Sequence, residues 1–347
     1  MPEKNIQRMN KIINKIIIGS LLGALAFIVL AFFADFKQVV SAVSIFPAGG
    51  WPLLLLLSLS NYAIRAIKWD FYLRQLGIFL PKISSVLIFL SGFIMAITPG
   101  KMGEVLKSLL IFEHYKYPIT QTAPAVFADR MADVLALLLL SAAGFFYKIS
   151  YFYSSPKDSN ISQLTALAAF VIITAVLIFI ISSKTFNTKI LKLAEKISFI
   201  KKYIVHIEEL LESARILIMP WSLIYTTLLS VAAWAMECYS LYYIIKLIAP
   251  EVSIDNFSIM MICAFIYSFS TLVGAAAMIP GGLFVTEGGM SFLLVNFIGI
   301  TLPAAVAASF LVRAATLWFA LLIGIFALPS FNVYIKNNTA AFQEAEK

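Results

Sequence analysis

From residue 256 to residue 335 the chain carries only two charges, Glu287 and Arg313. A soluble fold needs charged and polar side chains at the surface of every helix. An 80-residue stretch with two of them has nowhere in water to put its remaining side chains. Shorter uncharged runs occupy 16–33 and 164–183. Runs of about 20 apolar residues match the thickness of a bilayer crossed by a helix. Transmembrane barrel strands instead alternate apolar and polar residues over about ten positions. Charged residues make up 13% of the 347-residue chain, against about 25% in soluble domains. The pattern excludes a soluble enzyme, a disordered chain and a disulfide-stapled module. It predicts an all-α polytopic membrane protein, a single membrane domain over 1–347.

Apolar segments are expected at about 16–33, 52–67, 85–98, 124–147, 163–183, 220–248, 258–279 and 302–328. Two shorter ones, 101–113 and 283–298, follow Pro99-Gly100 and Pro280-Gly281-Gly282. Proline and glycine there break the helix and turn the chain back. The reading is about six full spans plus two Pro-Gly re-entrant hairpins. Basic residues set the orientation. Lys4, Arg8, Lys11 and Lys15 precede the first run, and the most basic loop lies at 184–215. That loop repeats apolar residues every three or four positions, as an amphipathic helix on the cytoplasmic membrane surface does. The loop at 68–84 is expected on the same side and the loop at 249–257 on the opposite one. Both termini are placed in the cytoplasm and the chain in the cytoplasmic membrane. The net charge of +8 belongs to those loops, and no nucleic-acid partner is expected.

The two halves, 52–147 and 220–328, repeat an order: a span with an internal charge, a Pro-Gly hairpin with a glutamate, a span with an arginine. Arg65 falls on Glu237, Glu104 near Glu287, and Arg130 on Arg313. Arg130 lies 31 residues after Pro99 and Arg313 lies 33 after Pro280. By the crossing count the halves have opposite orientation, and an inverted repeat with broken helices places a substrate site at its interface.

A charge within a span is costly unless it is paired or hydrated. The candidate substrate-binding residues are therefore Arg65, Lys68, Lys101, Glu104, Asp129, Arg130, Asp133, Glu237, Glu287 and Arg313. All but Glu237, which lies mid-span, also have a plainer reading. Arg65, Lys68 and Trp69 could anchor a span at the interface. Asp129, Arg130 and Asp133 could be an ion pair at a helix end, or a fork aimed at a phosphate. Lys101 and Glu104 sit at a helix start, where an anion or a capping carboxylate is equally at home. Arg313 needs Glu287, Glu237 or an anionic ligand. Cys238 and Cys263 match no metal spacing. No metal, cofactor or catalytic motif is expected, and the chain is not read as an enzyme.

Five motifs in order carry a resemblance: Arg65-Ala-Ile-Lys68-Trp69, Pro99-Gly100-Lys101-Met102-Gly103-Glu104, Asp129-Arg130-Met-Ala-Asp133, Pro280-Gly281-Gly282…Glu287-Gly288 and Arg313-Ala-Ala-Thr316-Leu-Trp318. Over roughly 15–330 the chain resembles the membrane region of the lysylphosphatidylglycerol synthase and flippase-like family. The resemblance implies a polytopic protein that moves lipids with charged head groups. The soluble aminoacyl-transferase activity found in some members is not expected of this chain. Lys101 stands where that family commonly has Arg, and Phe284 and Thr286 also depart from its pattern.

The expected function is a flippase-like transporter of a phosphate-bearing lipid, a phospholipid or a polyprenyl-phosphate-linked one. The alternatives are a membrane enzyme acting on a lipid phosphate and a non-catalytic partner of a lipid synthase. A second copy or such a synthase is the candidate protein partner.

Overall fold

The computed structural model describes residues 35–98, 105–152, 172, 213–217 and 219–345. The expected spans at 16–33 and 163–183, the Pro99-Gly100 turn, Lys101, Glu104 and nearly all of the 184–215 helix fall outside them. Every regular element among the described residues is helical. These are α1 (Phe36–Ile45), α2 (Trp51–Gln75), α3 (Lys82–Ser91), α4 (Leu106–Tyr115), α5 (Ile119–Phe152), α6 (Pro220–Ile248), α7 (Asn256–Ala276), α8 (Val285–Ile298), α9 (Leu302–Arg313) and α10 (Phe319–Ala345). Among them, five stretches are long and apolar enough to cross a membrane: Ala48–Gln75, Pro220–Ile248, Asn256–Ala276, Pro280–Ile298 and Leu302–Asn338.

Local chemistry explains the boundaries. Pro220 opens α6 at its first turn, where a missing N–H costs nothing. Asp255 caps α7 by accepting the Ser258 N–H at 2.9 Å. Thr301 caps α9, with Pro303 in its first turn. Gly299 ends α8 in the left-handed conformation that glycine adopts without strain.

Three expected boundaries are corrected. Residues 68–75 continue α2, so Lys68 and Arg74 are helical and the connecting loop is short. Lys68 is polar yet buried against other helices, whereas Arg74 stays exposed and pairs with Asp70 one turn before it at 2.7 Å. Helix α5 starts at Ile119 and passes through Pro124, so Asp129 and Asp133 lie inside it, not at its opening. The last span is interrupted by a π turn, Ala314–Trp318, immediately after Arg313.

The packing crosses between the halves. Helix α2 packs on α6, α5 on α7, and α3 on α10. Two glycines permit the closest approaches. A β-carbon on Gly144 of α5 would lie 2.3 Å from the Met261 carbonyl oxygen of α7. One on Gly324 of α10 would lie 2.6 Å from the Ile94 backbone nitrogen, in the 3-10 turn Gly92–Met95 that extends α3. Gly144→Val therefore forces α5 and α7 apart. It is expected to destabilise the protein by roughly 1–3 kcal/mol, read as a lower thermal unfolding midpoint in detergent. An unchanged midpoint would mean that the two helices are not held in this contact.

Two large apolar cores result. One joins α5 to α9 around Leu241, Phe265, Leu294 and Val312. The other joins α2 to α5 and α10 around Trp69, Phe89, Ile111 and Phe331. The charged candidates sit between them.

Candidate functional site

Helix α2 brings Arg65 and Lys68 to one face, three residues apart. Asp129 and Asp133 share a face of α5, four apart. The two faces meet, and all four residues are buried. Lys68 Nζ lies 2.7 Å from Asp129 Oδ1 and 2.6 Å from Asp133 Oδ1. It also donates to Ser230 Oγ of α6 at 2.6 Å. Arg65 Nη2 reaches Asp133 Oδ2 at 3.1 Å. Arg130 Nη2 stands 2.5 Å from Asp129 Oδ2 and 3.2 Å from Asp133 Oδ2.

Interface anchoring does not describe Arg65, Lys68 and Trp69, which are all buried and packed on other helices. Nor do Asp129, Arg130 and Asp133 sit at a helix end, since α5 begins at Ile119. The five side chains hold three positive and two negative charges. Arg130, its side chain 22% exposed, is the member that brings the surplus toward open space. Burying such a set is expensive, and charge pairing with added hydrogen bonds is what makes it tolerable.

A second group forms around the other hairpin. Glu287 lies in the first turn of α8 and Arg313 at the end of α9. Arg313 Nε donates to Glu287 Oε1 at 2.6 Å, and its Nη2 donates to the Gly281 carbonyl at 2.6 Å. Of the partners open to Arg313 in the sequence, Glu287 is the one it meets. Glu237 of α6 instead accepts a hydrogen bond from the Tyr267 hydroxyl of α7.

Between the two groups lies a cavity of about 260 Å³. Pockets for small molecules run from about 300 to 1,000 Å³, so this one has the scale of a head group and not of a whole lipid. Arg65, Arg130, Asp133, Glu237 and Arg313 line it, together with Tyr62, Trp234 and Tyr267. Lys68, Asp129 and Glu287 lie behind that lining and orient it. Thus five of the ten sequence candidates face the cavity and three support them. The remaining two, Lys101 and Glu104, fall outside the described residues.

The sequence reading missed the aromatic wall. Tyr62 stands three residues before Arg65, and Trp234 three before Glu237, so each shares a helical face with a charge already suspected. The Arg65 guanidinium lies 5.8 Å from the Trp234 ring centre, in cation–π range. Lys107, buried in α4, rests 4.5 Å from the Trp69 ring centre. Ser58 and Tyr62 of α2 donate to the carbonyls of Ala315 and Thr316 at 2.8 and 2.7 Å. Those carbonyls belong to the π turn. Such turns occur as single-turn bulges, frequently at functional sites, but nothing in this segment's composition announces one.

Comparison with known proteins agrees with the architecture. The UPF0104 membrane protein of Methanothermobacter thermautotrophicus is 22% identical over 289 residues, covering 78% of this chain and 81% of that protein. Residues 16–324 match the family described as the lysylphosphatidylglycerol synthase TM region. The chain is a multi-pass membrane protein and belongs to the lysylphosphatidylglycerol synthase TM region family.

Proposed function

We propose that the protein is a flippase-like transporter that carries a lipid's phosphate-bearing head group through the cavity between its two halves. One observation carries this reading. Three arginines, Arg65, Arg130 and Arg313, and two carboxylates, Asp133 and Glu237, line one cavity in a chain otherwise built of apolar helices. Intramembrane charges mark substrate pathways because their cost is otherwise unrewarded. Arg130 and Arg313 offer the phosphate planar, multidentate donors. Glu237 and the aromatic wall orient the rest of the head group. The tails stay in the bilayer.

The helix pairings support an inverted repeat. Exchanging α2 with α6, α3 with α7 and α5 with the last span (α9, the π turn and α10) maps the contacts α2–α6, α5–α7 and α3–α10 onto one another. A first hairpin that dips into the membrane and returns is consistent with α4, whose described helix has ten residues, about 15 Å. The arms of the second are longer. Whether they cross or return, the sidedness after the hairpin is the same. Both termini then lie in the cytoplasm, with the protein in the cytoplasmic membrane. Alternation between two symmetry-related states gives access from either side.

Native mass spectrometry of protein released from membranes tests the binding step. Wild type is expected to retain phosphate-bearing lipid. Arg130→Ala and Arg313→Ala are each expected to retain about 10–100-fold less, since a hydrogen bond to a charged group contributes about 1.5–3 kcal/mol. Equal retention by all three would remove the head-group site.

A further inference from the structure

The tip of the second hairpin joins α7 to α8, and its backbone is held in an unusual form. Met278, Gly281, Gly282 and Phe284 have φ of 54°, 65°, 66° and 71°. Met278 and Phe284 are side-chain-bearing residues in the left-handed region, where a β-carbon is crowded. Such a segment persists only while its surroundings hold it.

Two kinds of contact hold it. The apolar one is Leu283, buried with Ala96 and Ile97 of the first hairpin and with Leu317 and Leu321 of the last span. A β-carbon added to Gly281 would lie 3.6 Å from Leu317 Cδ2 and 3.7 Å from the Ile97 Cα. The tip of the second hairpin therefore touches residues 96–97 of the first, beside the π turn. The polar contact is the 2.6 Å hydrogen bond from Arg313 Nη2 to the Gly281 carbonyl. Arg313 immediately precedes that π turn and lines the cavity.

The arginine has an alternative arrangement close at hand. Its Nε already engages Glu287 Oε1. Glu287 Oε2 is buried and has no hydrogen-bond partner among the described residues. A bidentate pair with the same carboxylate would satisfy both oxygens. Instead, one nitrogen of the guanidinium is turned to a neutral backbone carbonyl.

We infer that Arg313 latches the second hairpin tip closed through the Gly281 carbonyl, and that an anionic phosphate head group releases the tip by taking the guanidinium from that carbonyl. The inference rests on the head-group reading given above and adds how the site is regulated. A phosphate oxygen is a stronger acceptor than a neutral carbonyl, because the hydrogen bond to it is charge-assisted at both ends. Once Arg313 turns to phosphate, it completes its pairing with Glu287 and the Gly281 carbonyl faces the cavity. Of its contacts outside its own hairpin described above, the tip then keeps the Leu283 packing, and the crowded backbone at Met278 and Phe284 favours its departure. Lipid binding is thereby linked to opening, because the head group binds the released state better than the latched one.

The test uses the full chain in maltoside micelles, with Cys238→Ala and Cys263→Ala as background and Ile97→Cys plus Leu283→Cys as the reporter pair. Oxidative cross-linking is measured without lipid, with phosphatidylglycerol and with diacylglycerol, which lacks the phosphate. Phosphatidylglycerol is expected to reduce cross-linking at least threefold, and diacylglycerol to leave it unchanged. Arg313→Gln is expected to cross-link poorly with or without lipid. Lipid retention by the same samples is read by native mass spectrometry. Phosphatidylglycerol retained while cross-linking stays constant overturns the latch and leaves the head-group site standing. No retention of phosphatidylglycerol overturns both. The wild-type comparison stands even if Arg313→Gln does not fold.

Discussion

Replacing Asp133 with alanine is expected to lower stability by about 3–5 kcal/mol, the cost of leaving buried charges without their partner. Asp133 accepts from Ser230 and meets Arg65, Lys68 and Arg130 within 3.2 Å. Without it, three cations face Asp129. The measurement is an SDS titration of the folded protein in mixed micelles. A companion variant separates charge from shape. Lys68→Met combined with Asp133→Leu removes one charge of each sign and keeps the volume apolar. It is expected to recover more than half of the loss, as buried ion pairs often exchange for hydrophobic groups at little cost. A change under about 0.5 kcal/mol for Asp133→Ala, the range of ordinary surface substitutions, would mean that the cluster is hydrated and does not bind α2, α5 and α6 together.

The same double variant is expected to transport poorly although it folds, because Arg130 loses one of the two carboxylates that aim it at the cavity. Stability and transport then part company, which a purely structural role for the cluster does not predict.

Much of this arrangement was legible in the sequence, for a physical reason. Charges are so unfavourable within a bilayer that each one left there is conspicuous. Asp129, Arg130, Asp133, Glu237, Glu287 and Arg313 were therefore visible without any contact information, and so was the pairing of Arg313 with a glutamate. The Pro280-Gly281-Gly282 turn was visible because those residues stop helices whatever surrounds them.

Other features depended on tertiary surroundings. Lys68 and Arg74 looked like the start of a cytoplasmic loop because polarity usually marks water. Here Lys68 is polar because Asp129 and Asp133 of α5 await it, 61 and 65 residues further on. The roles of Tyr62, Trp234 and Tyr267 stayed hidden because aromatic residues are common throughout an apolar chain. Only their spacing from Arg65 and Glu237 distinguishes the first two. The π turn at Ala314–Trp318 is a shift in hydrogen-bond register, supported by Ser58 and Tyr62 from a distant helix, and local propensity does not encode that support.

The second large effect concerns Arg313 and the central claim itself. Arg313 is the one cation of the long apolar stretch at 256–335, and it joins the cavity, Glu287 and the hairpin tip. Wild type and Arg313→Ala, reconstituted in vesicles holding phosphatidylglycerol with a fluorescent head-group label, should differ sharply. Added to one leaflet, the label should reach the other at least tenfold faster with wild type than with Arg313→Ala or with empty vesicles. Head groups should remain chemically unchanged, since the account involves transport and no chemical conversion. Wild-type movement no faster than that of Arg313→Ala, with both proteins folded and equally incorporated, would contradict the account.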